Sequence, residues 1–216
     1  MAHREQERGA GGPLAGRIAV VTGGGRGIGR ATAHRLAAAG ARVVLVARTA
    51  AELEAVVAAI QADGGQAEYH VADVTRSGEV AALADKLRRA YGRVDILVNS
   101  AGVSLIAPLE ATSEADWDLV IDTDLKGPYL TSQALLDLLR ASDQAQIVNI
   151  ASKVGLTGHR LVTAYVAAKA GLIGFSRSLA HELAPENIRV QVVCPGPVDT
   201  PMRWAATPDM DPALAV

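Results

Sequence analysis

The chain has 216 residues, 50% of them hydrophobic and 3% aromatic, with 21 Lys and Arg against 23 Asp and Glu. This length fits one domain whose core Ala, Val, Leu and Ile must fill. The near balance of charge argues against a clustered basic surface for nucleic acid. No apolar run reaches the roughly 18 residues of a membrane helix, and the lone Cys194 excludes an intramolecular disulfide or a thiol-only metal site.

Residues 1–13 are polar and Gly-rich without a secretory apolar segment, and are expected to form a disordered tail on a cytoplasmic protein. Strand and helix then alternate. Residues 18–21 predict a strand that stops at a glycine cluster, and 27–39 a helix. A strand over 42–46 and a helix over 51–62 follow, the helix placing Leu53, Val56, Val57 and Ile60 on one face. Then come strand 66–71, helix 79–91 and strand 94–98. One long helix is expected over 114–140, bent or interrupted by Pro128. Strand 146–150, helix 163–183 and strand 188–193 complete the series.

This alternation predicts an α/β fold, a single Rossmann-type doubly wound parallel sheet of about six strands in order 3-2-1-4-5-6 with helices on both faces. Residues 14–202 form the expected domain. Such sheets bind ligands at the carboxyl ends of their strands, so function is expected in the loops after strands one, four, five and six.

Thr22-Gly23-Gly24-Gly25-Arg26-Gly27-Ile28-Gly29 follows the first strand and opens a helix. Glycines there let the backbone approach a pyrophosphate at the helix N-terminus. The spacing is GxxxGxG rather than GxGxxG, which leaves a purely structural turn as the alternative. An acid after the second strand would bind the ribose hydroxyls of NAD. That place reads Ala47-Arg48-Thr49, and Glu52 already lies in the next helix. Arg48, joined by Arg26, suits a 2′-phosphate instead, favouring NADP(H) over NAD(H) unless both arginines are merely solvated.

Tyr165 and Lys169 stand four apart on a predicted helix and share a face. An ammonium near a phenol favours the phenolate, which suits acid–base work. A packed Tyr beside a snorkelling Lys is the plain alternative. His34, His70, His159 and His181 lack metal-ligand spacing, and no metal is expected. His159 and Arg160 lie on a loop that could touch substrate.

Taken together, the glycine turn, Asp73-Val74, Asn99-Ser100-Ala101-Gly102, Ser152, Tyr165-Val166-Ala167-Ala168-Lys169 and Pro195-Gly196-Pro197-Val198-Asp199-Thr200 resemble the short-chain dehydrogenase/reductase family, and within it 3-oxoacyl-ACP reductase-like members. The order and spacing agree from about residue 14 to 202. The resemblance implies that Ser152 hydrogen-bonds the substrate oxygen, Tyr165 passes the proton and Lys169 holds the nicotinamide ribose. It implies cofactor contacts from Gly23, Gly25, Arg26, Gly27, Ile28, Gly29 and Arg48, from Asp73 to the adenine amino group, and from Val74. Asn99, Ala101 and Gly102 would line the cofactor and support the sheet. Pro195, Gly196, Val198 and Thr200 would lie at the carboxamide end.

Two features depart from the family. Asp124 takes the place of a usual Asn and is kept among the candidate catalytic residues. The chain runs only 14 residues past Met202, so 203–216 is expected to be a short tail or remnant lid, with the sixth strand left at a sheet edge. The apolar circumference of helix 163–183 predicts a homodimer, with a homotetramer as the larger alternative. The resulting expectation is an NADP(H)-dependent oxidoreductase acting on a carbonyl or secondary alcohol. The alternatives are a non-catalytic NADP(H)-binding dimer and an epimerase or dehydratase on the same Tyr and Lys.

Overall fold

The apolar runs become six strands in the computed structural model, which describes residues 12–206. They are β1 (Ile18–Thr22), β2 (Arg42–Ala47), β3 (Gln66–Val71), β4 (Ile96–Asn99), β5 (Gln146–Ile150) and β6 (Arg189–Val193). All pair in parallel, in the order β3-β2-β1-β4-β5-β6. The order reverses between β1 and β4, which is where such a sheet opens a crevice. Thr22 lies opposite Val46 on one side and Asn99 on the other, so the carboxyl ends of the central strands are level.

Successive side chains along β1 point to opposite faces, and each face has its own core. Ala19 and Val21 pack with Val43 and Leu45 beneath α1 (Gly27–Ala38) and α2 (Ala50–Ala62). Val20 packs with Val44, Leu97 and Ile147 against α3 (Ser77–Tyr91) and the helices of the second half. The outer strands β3 and β6 are only partly buried, unlike the fully buried β1. Among the described residues β6 is a sheet edge, and no helix is long and apolar enough to cross a membrane.

The expected single helix over 114–140 is corrected. It is α4 (Glu114–Ile121), a π-helical turn (Asp122–Lys126), α5 (Gly127–Ala134) and α6 (Leu136–Arg140). Pro128 has no N–H to return to residue 124 and its ring crowds that carbonyl, so the chain widens into a π turn just before it. Short α7 (Val154–Thr157), long α8 (Thr163–Leu183) and α9 (Pro201–Ala206) complete the set. α9 crosses the expected domain boundary at 202. Most of the two expected tails, 1–13 and 203–216, lies outside the described residues.

At the amino end of the sheet, Asp95 is fully buried. Its carboxylate accepts from the Ile18 amide at 2.8 Å, Ser142 Oγ at 2.7 Å, Arg17 at 2.9 Å and Arg93 at 3.2 Å. Arg17 also pairs with Asp143.

Candidate active site

The crevice at the switch point is a cleft of about 580 Å³. One wall is the glycine turn between β1 and α1. Gly23 is left-handed at φ +65°, and a Cβ on it would lie 2.8 Å from the Ala101 backbone. A Cβ on Gly29 would lie 2.2 Å from the Gly23 carbonyl oxygen. Only hydrogen fits at either place, so the turn folds tightly onto the helix start and leaves backbone facing the cleft. Arg26 caps α1 in an extended conformation, and its own side chain makes no capping bond. A helix start beside a glycine cradle fits a pyrophosphate.

Arg48 and Thr49 line the cleft just beyond β2. Asp73 lines it after β3, and its Oδ1 accepts from the Thr75 amide at 3.0 Å and hydroxyl at 2.8 Å. Burial pushes the Asp73 carboxyl up, but those two bonds and the charges of Arg48 and Arg76 outweigh it and hold it below the ordinary value. The loop after β4 is pinned by Thr22, whose Oγ1 accepts from the amides of Ser100 at 3.1 Å and Ala101 at 3.2 Å.

The chemical groups come from β5 and α8. Ser152 follows β5 and is half-buried on the cleft wall, its Oγ accepting from the Val154 amide at 3.4 Å. Tyr165 and Lys169 stand one turn apart on α8 and both line the cleft, the ammonium 5.6 Å from the phenol ring centroid. Gly155 brings α7 against α8, because a Cβ there would lie 2.9 Å from the backbone of Lys169 and Ala170. Lys169 is buried. Its Nζ donates to the Ile150 carbonyl at 2.8 Å and pairs with Asp124 Oδ2 at 3.1 Å. The other Asp124 oxygen accepts from the Val103 amide at 2.7 Å.

The expected residues Gly23, Gly25, Arg26, Gly27, Ile28, Gly29, Arg48, Asp73, Val74, Ala101, Gly102, Pro195, Gly196, Val198 and Thr200 meet Ser152, Tyr165 and Lys169 around this one cleft. Two others stand behind the wall. Asn99 is buried, donating to Asn149 at 2.8 Å and Ser132 at 3.3 Å and accepting from Thr131 at 2.7 Å, so it supports the strand ends. Asp124 is buried behind Lys169. His159 and Arg160 are exposed and lie outside the wall. The wall also contains Thr123, Ser104, Met202 and Arg203, for which neither periodicity nor a motif gave a signal. The two loops beyond the wall are joined where the Ala107 amide donates to the Leu161 carbonyl at 2.8 Å. Leu161 is left-handed at φ +63°.

A phosphate cradle and an acid–base tyrosine at the same switch point define a nucleotide-dependent oxidoreductase of the doubly wound α/β class. A family model described as short chain dehydrogenase matches residues 17–211. A 3-oxoacyl-[acyl-carrier-protein] reductase of Thermotoga maritima is 37% identical over 189 residues, covering 88% of this chain and 77% of the relative. A (2S)-[(R)-hydroxy(phenyl)methyl]succinyl-CoA dehydrogenase subunit of Thauera aromatica is 40% identical over 195 residues, covering 90% and 78%. A metagenomic short-chain oxidoreductase solved in complex with NADP superposes with a TM-score of 0.81 at 44% identity, covering 84% of this chain and 83% of that one. The chain belongs to the short-chain dehydrogenase family, and it is an NAD(P)-dependent oxidoreductase. The alternative of a non-catalytic binding protein finds no support in these relatives.

Proposed function

We propose that the chain is an NADP(H)-dependent enzyme that moves a hydride between the nicotinamide and a carbonyl or secondary alcohol. The observation that carries this reading is the convergence of Ser152, Tyr165 and Lys169 on the cleft that also holds the glycine turn and Arg48. The glycine turn and the start of α1 hold the pyrophosphate, and Arg48 meets the 2′-phosphate, since no acid stands at the end of β2. The solved relative with NADP supports that choice. When bound, the nicotinamide supplies or accepts the hydride. Ser152 orients the substrate oxygen by a hydrogen bond. Tyr165 delivers the proton to that oxygen in reduction and removes it in oxidation. Lys169, anchored on the Ile150 carbonyl, holds the ribose.

The reading includes residues 14–202 as one catalytic unit. It includes a cytoplasmic setting, in keeping with the unpaired Cys194. It also includes a homodimer formed through the outer face of α8, where Ala170 and Gly174 are exposed. Calorimetry with NADPH and NADH is the first test. Binding of NADPH at least about tenfold tighter than NADH is expected from one phosphate-reading arginine. A carbonyl panel then measures turnover. Tyr165→Phe is expected to lower kcat by about 10²–10⁴-fold with NADPH affinity retained, and an unchanged rate would refute the role of Tyr165.

A further inference from the structure

Asp124 has no solvent exposure, and the Lys169 side chain keeps only 5%. The carboxylate lies behind the cleft wall and the ammonium on it, 3.1 Å apart. A Cβ on Gly102 would lie 3.0 Å from Asp124 Oδ2, so the glycine after Ala101 leaves just the room this pair occupies. A buried carboxylate is tolerated when a charge and a hydrogen bond satisfy it, and here Lys169 and the Val103 amide do so. This corner of the cleft therefore carries a neutral pair, not a lone positive charge.

That difference matters for a nicotinamide, because the oxidised ring is positive and the reduced ring is not. A lone buried ammonium on the wall would repel the oxidised form selectively. We propose that Asp124 is a charge-balancing positioning residue whose carboxylate offsets the Lys169 ammonium and so raises the affinity for oxidised over reduced nicotinamide cofactor. The inference rests on the cofactor reading above. It makes the balance between the two cofactor forms a property of one carboxylate that never touches either.

Other charged and titratable groups surround the pair, Tyr165 among them, with its ring centroid 5.6 Å from Lys169 Nζ. Asp122 and Lys126 of the same turn pair with each other at 3.1 Å. Of the α4 acids, Glu114 and Asp118 are exposed and Asp116 is bonded to Ser113. α8 faces the turn with Ala164, Ala168 and Lys169. Arg26, Arg48, Glu52, Asp73 and Arg203 are the further charged side chains on the cleft wall. Burial pushes the Asp124 carboxyl up, while the Lys169 charge and the Val103 amide pull it back.

Calorimetric Kd values for NADP⁺ and NADPH, measured on the wild type and on Asp124→Asn, test the proposal. The ratio Kd(NADP⁺)/Kd(NADPH) is expected to rise roughly tenfold in the variant, the scale of one added charge in a partly screened site. A merely structural loss would weaken both forms alike, and an unchanged ratio in a folded variant overturns the inference alone. Absence of binding of both forms to the wild type overturns the cofactor reading and the inference with it. Should Asp124→Asn fail to fold, the same ratio measured on Asp124→Ser decides. Loss of the carboxylate there also unmasks the Lys169 charge, so the ratio is expected to rise, and an unchanged ratio overturns the proposal.

Discussion

Asp95 and Asp124 are both buried aspartates, placed at opposite ends of the sheet for opposite purposes. Burial pushes the Asp95 carboxyl up, but the Ile18 amide, Ser142, Arg17 and Arg93 outweigh it and hold it below the ordinary carboxylate value. A lowered pKa means stability that is complete above the unfolded value near about 4 and lost as pH falls through the folded one. Asp95→Asn is expected to cost about 2–4 kcal/mol in urea unfolding at neutral pH, with the difference from wild type shrinking in acid. Neither aspartate is equally legible in the sequence. Asp124 stands out because a familiar pattern places an Asn there. Asp95 carries no such mark, since its four partners come from 17, 18, 93 and 142 and meet only once β1 and β4 are paired. Tyr165 and Lys169 are legible because helical spacing alone puts them on one face.

At the scale of the element, the glycine turn shows how closely a strand and a helix must approach to build a phosphate site. Gly29→Ala would drive a methyl to 2.2 Å from the Gly23 carbonyl, far inside contact distance. It is expected to weaken NADPH binding at least about tenfold by calorimetry and to lower Tm. Strand and helix existence was readable from periodicity, and β3, β5 and α8 match their expected limits residue for residue. The break in the 114–140 segment was readable only in part. Pro128 announces an interruption, but nothing local announces that Asp124 in the π turn before it meets Lys169 and the Val103 amide, contacts from distant parts of the chain. Those contacts hold the widened turn in place, and α5 starts afresh with Pro128 in its first turn, where a missing N–H costs nothing.

At the scale of the whole molecule, the sheet order was legible because parallel strands with helical crossovers have few allowed arrangements. The proposed dimer rests on a surface. Ala170 and Gly174 keep the outer face of α8 smooth, and neighbouring α4 and α5 expose Trp117, Leu119 and Tyr129. Light scattering is expected to find a dimer, and Ala170→Arg to yield monomers by setting a long charged side chain into that face. A wild-type monomer would refute the α8 interface. The bond between the Ala107 amide and the Leu161 carbonyl has a reach beyond its size. It ties the loop after β4 to the loop before α8, two segments far apart in the chain. While that bond holds, residues 107 and 161 do not shift independently, so a change made in either loop is carried to the other.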